Sequence, residues 1–463
     1  MAAIFNSPSK YIQGPDELAK LGSYVEPLGA KVLVIVTPSG KKRVGAKIEG
    51  GFAEAKAELL FEDFNGECSK GEVDRLVALA RDNGCDIIVG VGGGKILDTA
   101  KAVAYYLESP VIICPTIAST DAPCSALSVL YTDDGQFDKY LFLKANPNIV
   151  LMDTTVIAAS PVRLTVSGMG DALATYFEAQ ATHDADGGTC AGGKGGMAGL
   201  ALAKLCYETL MADGVKAKVA LEKGALTPAV EHIIEANTLL SGIGFESSGL
   251  AAAHAIHNGL TMLPECHGMY HGEKVAFGTI VQLVLEDAPT EKLEEVLGFC
   301  IELGLPVTMK ELGVAELTRE QAMIVAEAAC APDDTMCNMP FEVTPEMVAN
   351  AILGADALGH YYLMDEQIKL KKGQSRKMTL PLFAMVQRSQ VSLHQLLLMK
   401  GRILVWRFPW YMAVPAGMFR GRANFRVRPG ICHGWAALPM SCLTRAPRIG
   451  CANRSSMDFW TKT

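Results

Sequence analysis

The segment Gly90-Val91-Gly92-Gly93-Gly94-Lys95-Ile96-Leu97-Asp98-Thr99-Ala100-Lys101 constrains the fold more than any other stretch of the chain. Before it lies Asp86-Ile87-Ile88-Val89, an apolar run of buried-strand type. After it, Ile96, Ala100, Val103 and Tyr106 recur near helical spacing. The order is strand, glycine turn, helix. The first turn of a helix has unpaired N–H groups and a partial positive charge, and glycines let an anion approach that backbone. The turn therefore suits a phosphate or pyrophosphate. It matches neither G-x-G-x-x-G nor G-x-x-x-x-G-K-[ST]. The plainer reading is a glycine-rich connection in an α/β sheet.

Neighbouring segments repeat the alternation. Lys10–Gly14 reads as an edge strand, with a helix opened by Pro15-Asp16 and running to about Leu28. Strands are expected at 31–36, 58–61, 86–91 and 111–114, and helices at 43–59 and 69–83. Such alternation implies a parallel sheet, whose ligands sit beyond the carboxyl ends of the strands. The glycine turn and Pro115-Thr116-Ile117-Ala118-Ser119-Thr120-Asp121 both follow strands, so they should share one crevice. From about residue 161 the strand signals stop, and residues 161–363 are rich in Ala, Leu, Glu and Met with helical periodicity. The expected organisation is an α/β domain over 1–160, an all-helical domain over 161–363, and a site in the cleft between them.

Charge sets a third segment apart. The net charge of the 463 residues is −8. Residues 364–463 hold 17 Lys and Arg against 3 Asp and Glu, so the rest of the chain holds 25 against 47. All four tryptophans lie in this basic tail, which six prolines interrupt and no sustained period organises. It reads either as an extension that binds nucleic acid or anionic lipid, or as unselected sequence from read-through or a shifted frame. The second reading is preferred, with no nucleic-acid or membrane partner. No charge-free apolar run reaches the length of a membrane span, and no secretion signal opens the chain. The 13 cysteines are scattered without a C-x-x-C pair, which fits reduced cytoplasmic thiols.

Three stretches in the helical half carry candidate metal ligands: Gly170-Asp171-Ala172, His254-Ala255-Ile256-His257-Asn258-Gly259, and Tyr270-His271-Gly272-Glu273. A carboxylate with two imidazoles suits Zn²⁺ with an open position. Spacing does not single out these residues, and a lone buried histidine is more often a hydrogen-bonded core residue.

Together, Gly92-Gly93-Gly94-Lys95, Pro115–Pro123, Gly170–Thr175, His254–Gly259 and His271–Gly278 resemble the bacterial glycerol dehydrogenase family of the iron-type alcohol dehydrogenase superfamily, over about residues 4–363. The resemblance implies a dehydroquinate synthase-like architecture and NAD-dependent, zinc-assisted oxidation of glycerol to dihydroxyacetone. It implies zinc ligation by Asp171, His254 and His271. It implies NAD contacts at Gly94, Lys95, Asp98, Thr116, Ser119, Ser125, Leu127 and Tyr131, and substrate binding at Asp121, otherwise a turn residue before Ala122-Pro123. His257 and His267 receive no ligand role. Glu273 is either a carboxylate orienting a ligand imidazole or a solvated helix residue. Iron-dependent relatives carry a histidine four residues after the aspartate. Thr175 stands there, which favours zinc.

Where the family carries a ribose-binding aspartate, this chain has Thr37, followed by Pro38-Ser39-Gly40-Lys41-Lys42-Arg43. That predicts weaker NAD binding and some NADP tolerance, unless the basic residues are only a solvated helix start. The rival functions are oxidation of another vicinal diol such as 1,2-propanediol, or an inactive assembly subunit. A homo-oligomer is expected by analogy with relatives.

Overall fold

Runs of Val and Ile with no polar alternation build the centre of the first half. In this computed structural model, which describes the backbone of residues 1–371 and the side chains of 1–364, they become a parallel sheet. Its strands are β1 (Lys10–Gly14), β2 (Lys31–Val36), β3 (Glu58–Asp63), β4 (Ile87–Gly92) and β5 (Val111–Pro115). An antiparallel hairpin of β6 (Leu127–Tyr131) and β7 (Phe137–Phe142) follows, and β8 (Ile149–Asp153) returns to the sheet. The order is β1-β8-β5-β4-β2-β3, with every pairing parallel. Strands covered on both faces need no polar side, which explains the unbroken apolar runs.

The crossover helices are α1 (Leu21–Val25), α2 (Pro38–Gly51), α3 (Lys70–Asp82) and α4 (Gly94–Leu107), with the short α5 (Thr154–Ala158) after β8. Val32, Val34, Ile87, Val89 and Ile112 pack with Leu21, Val44 and Ile48. The alternate residues Leu33, Ile35, Ile88 and Ile113 pack with Val73, Leu76, Leu97 and Ala100. Helix α4 lies very close to its strand. A Cβ on Gly90 would stand 2.6 Å from that of Ala100, and one on Gly92 would stand 2.4 Å from Ile96 Cδ1. These two glycines therefore serve helix–strand packing, while Gly93 and Gly94 open the helix.

Three local expectations are corrected. The helix expected from Pro15 to Leu28 is a 3₁₀ turn, Glu17–Lys20, followed by the short α1. The helix expected at 43–59 is α2, which starts earlier because Thr37 Oγ accepts from the Gly40 N–H and Pro38 takes the first position. The hairpin and β8 have no counterpart among the expected strands.

After β8 all regular structure among the described residues is helical: α6 (Val162–Asp184), α7 (Met197–Leu221), α8 (Pro228–Glu235), α9 (Ser241–Ser248), α10 (Ala252–Leu260), α11 (His271–Leu285), α12 (Thr290–Leu303), α13 (Arg319–Ala329) and α14 (Pro345–Lys371). A π turn, Ala236–Leu240, joins α8 to α9. Helix α14 passes through the expected junction at 363/364. The readings of the basic tail beyond Lys371 lie outside the described residues. Among the described residues no helix is long and apolar enough to cross a membrane, and all ten cysteines are free thiols.

Candidate active site

Helix α6 presents Asp171, Thr175 and Glu178 at positions i, i+4 and i+7, one face of a helix. All three are fully buried. Asp171 meets His254 from α10 and His271, the first residue of α11. The His271 Nε2 lies 3.0 Å and the His254 Nε2 3.4 Å from Asp171 Oδ1. One ligand atom from each of the three lies within 4.8 Å of the others. Asp171 Oδ1 is buried, yet no donor reaches it in hydrogen-bond geometry. A buried carboxylate oxygen without a hydrogen bond costs free energy unless a cation compensates it. The three residues fit a divalent cation.

Glu178 fixes the orientation of His254. Its Oε2 is 2.6 Å from His254 Nδ1, and its Oε1 accepts from the backbone N–H groups of Ala251 and His254, both at 2.9 Å. With the Nδ1 proton directed at Glu178, the Nε2 lone pair is left for a cation. Burial opposes charging of His254, but Glu178 and Asp171 outweigh it and raise its pKa well above the ordinary value. Burial likewise opposes ionisation of Asp171, but His271 and His254 beside it hold its pKa below the usual range.

Asp121 joins this cluster from the α/β half. Its backbone N–H donates to Asp171 Oδ2 at 3.1 Å, and its Oδ2 accepts from Ser241 Oγ at 2.7 Å. Burial and the Asp171 charge raise its pKa well above the usual range. A cation beside both carboxylates would act in the opposite sense. The loop carrying Asp121 is held further by Asn237, whose Nδ2 donates to Ala118 O and Thr165 O, each at 3.0 Å.

Of the other histidines, His257 packs on His271 with ring centroids 4.1 Å apart, and its Nδ1 lies 3.1 Å from Asn258 Oδ1. Burial, reinforced by His271 and Lys274, lowers its pKa well below the ordinary value. His267 is exposed, with Nε2 2.9 Å from Thr261 O. Glu273 orients no imidazole and is not solvated. It is buried, pairs with Arg163 at 2.6 Å, and accepts from the Tyr270 N–H at the start of α11.

The residues expected to contact NAD line three adjoining stretches. Gly94 opens α4 after Gly93, which has no side chain to cap the helix, and a Cβ on Gly94 would meet nothing within 4 Å. The Thr116 N–H donates to Gly92 O at 3.0 Å, joining the loop after β5 to the glycine turn. Ser119 is half-buried on the same loop. Lys95 pairs with Glu67 at 2.5 Å and lies 5.8 Å from the centre of the Tyr131 ring. Burial raises the Tyr131 hydroxyl to about 12.

Leu127 opens β6 and Tyr131 closes it. Asp98 is turned inward: Oδ2 accepts from the Val129 N–H at 3.3 Å, and burial raises its pKa to about 6 against the pull of Lys101. Lys101 is wholly buried, and its three ammonium protons meet three acceptors: Ala122 O at 2.6 Å, Leu127 O at 3.0 Å and Ser125 Oγ at 3.3 Å. It ties α4 to the segment carrying Ser125 and Leu127.

The sequence reading missed Glu178, Ser241, Asn237 and Lys101. Only Glu178 had a local signal, its place two turns after Asp171 on the same helical face.

The chain is similar to known proteins over most of its length. Residues 8–154 match the family described as iron-containing alcohol dehydrogenase. The chain is 54% identical over 363 residues to a glycerol dehydrogenase of Citrobacter freundii, covering 78% of this chain and 100% of that protein. It is 52% identical over 374 residues to a glycerol dehydrogenase of Escherichia coli O6:H1, covering 79% of this chain and 100% of that protein. The crystal structure of glycerol dehydrogenase from Schizosaccharomyces pombe superposes with a TM-score of 0.76 at 39% identity, covering 82% of this chain and 95% of that one. The chain belongs to the iron-containing alcohol dehydrogenase family, grouped with its glycerol dehydrogenases.

Proposed function

We propose that this chain oxidises glycerol to dihydroxyacetone with NAD as hydride acceptor, and that Asp171, His254 and His271 hold a zinc ion. The observation that carries the reading is the buried Asp171 Oδ1, left without a hydrogen bond between two imidazole nitrogens. Zinc is preferred to iron because Thr175, where iron-dependent relatives place a fourth ligand, has its hydroxyl 2.7 Å from Ser241 Oγ. Three protein ligands leave a position for substrate.

When bound, the cation supplies Lewis acidity to a substrate hydroxyl and the nicotinamide accepts the hydride. The chain's part is placement. The uncapped start of α4 at Gly94 and Lys95 receives the pyrophosphate. Thr116, Ser119, Ser125, Leu127 and Tyr131 line the remaining path of the dinucleotide, with Asp98 and Lys101 holding that wall together. Asp121, tied to Asp171 through its N–H, takes a second hydroxyl of the substrate and so favours vicinal diols. Glu178 holds the His254 tautomer throughout. Near-attack placement of this kind is worth about 7–11 kcal/mol of barrier. The working unit is read as an α/β domain over 1–160 and a helical domain over 161–363, in a cytoplasmic homo-oligomer.

The test is glycerol-dependent NADH formation and zinc content on one purified sample. Glycerol should be oxidised by a zinc-loaded protein. A zinc-loaded protein inert to glycerol and to 1,2-propanediol would contradict the reading.

A further inference from the structure

We propose that Ser241, backed by Thr175, is the positioning residue that fixes the Asp121 carboxylate for a vicinal diol. The inference rests on the reading above of Asp121 as the partner of a second substrate hydroxyl.

Ser241 Oγ is fully buried, 2.7 Å from Asp121 Oδ2 on one side and 2.7 Å from Thr175 Oγ1 on the other. A serine hydroxyl has one proton. Ser241 gives it to the carboxylate, so the proton between the two hydroxyls belongs to Thr175. The chain therefore runs one way, from Thr175 through Ser241 to Asp121 Oδ2. The two carboxylate oxygens are thereby made unequal: Oδ2 is occupied and Oδ1 is left for a substrate hydroxyl. The Asp121 N–H is tied at the same time to Asp171 Oδ2. Asp121 is held relative to the ligand cluster from both its backbone and its side chain.

The helix carrying Ser241 is shaped for this contact. The π turn Ala236–Leu240 lies immediately before it. A π turn adds one residue to a helix, which rotates the succeeding turns by about 100° relative to an unbroken α-helix. Across that turn Asn237 and Ser241 serve the same loop, one at Ala118 O and the other at Asp121. Gly242 lets the backbones close, since a Cβ there would stand 2.8 Å from Asp121 O. At the other end, Thr175 stands one turn after Asp171 on α6. Two hydroxyls thus link the helix of the ligand carboxylate to the substrate loop.

Two substitutions at position 175 separate hydrogen bonding from packing in the full-length, metal-loaded protein. Thr175→Val keeps the volume and removes the hydroxyl, whereas Thr175→Ser keeps the hydroxyl and removes a methyl. We expect Ser241→Ala to lose about 10- to 100-fold in kcat/KM for glycerol, the scale of one hydrogen bond to a charged group, and Thr175→Val, which loses a bond between two neutral hydroxyls, to lose about 3- to 10-fold. KM for NAD and metal content by elemental analysis should stay at wild-type values, and Thr175→Ser should match wild type. If Thr175→Val is as active as wild type, if Thr175→Ser is impaired as much as Thr175→Val, or if Ser241→Ala loses its metal, the proposal is overturned. A wild-type protein that does not oxidise glycerol would instead overturn the functional reading on which it rests.

Discussion

His254 is set in place by a carboxylate that is not itself a candidate ligand. Both oxygens of Glu178 accept, one from two backbone N–H groups and the other from the imidazole. Glutamine has only one acceptor oxygen. In Glu178→Gln the amide donor must face either those N–H groups or Nδ1, and the second choice forces a proton onto Nε2. The variant should bind zinc about 10- to 100-fold more weakly in competition with a chelator; unchanged affinity would contradict the role given to Glu178. A second residue-scale expectation concerns Thr37. Its hydroxyl caps α2 by accepting from the Gly40 N–H at 3.0 Å, and Lys42 and Arg43 on the next turn are exposed. No acid stands there to repel a 2′-phosphate. The ratio of kcat/KM for NAD to that for NADP should stay below about a thousandfold, and a larger NAD preference would contradict this reading.

At the scale of elements, the ligand cluster depends on how closely α6 and α11 approach. A Cβ on Gly272 would lie 1.8 Å from Ser167 O, and one on Gly170 would lie 2.4 Å from Gly272 O. Gly272→Ala must push the two helices apart and carry the adjacent His271 away from Asp171. We expect a loss of about 1–3 kcal/mol in stability together with loss of zinc, measured by thermal melting and elemental analysis. Retention of zinc at wild-type stability would contradict the packing argument.

The same elements show what the sequence could and could not reveal. Helix α3 was legible because Val73, Leu76, Val77 and Ala80 fill one buried face. The central strands were legible as apolar runs. The hairpin was not, because β7 is exposed along nearly its whole length and has no inward face to impose a period of two. The expected Pro15–Leu28 helix departs from α geometry at its start through tertiary contact: Asp16 has φ 59°, and the Asp16 and Leu18 N–H groups donate to the Asp153 carboxylate at 3.2 and 3.1 Å. Within the site, the expected ligands Asp171, His254 and His271 do converge, but the carboxylate that serves an imidazole is Glu178 rather than Glu273. Glu178 and His254 meet only through folding, across 76 positions of sequence, so no local pattern could pair them.

At the scale of the whole molecule, every residue placed in the site lies between Thr37 and His271, and α14, the last described helix, packs on α11 and α13. A chain stopped after Lys371 should therefore keep its zinc and its glycerol oxidation. Loss of activity with zinc still bound would assign a working part to residues 372–463.

On the function proposed above, diol oxidation depends on a metal held by one carboxylate and two imidazoles brought from three helices. The most direct measurement is zinc per chain and glycerol-dependent NADH formation on the same preparations of wild type and His271→Ala. We expect a zinc-loaded, active wild type and a variant that loses zinc and activity together. An inactive His271→Ala protein with its full complement of zinc, or an active one without zinc, would contradict it.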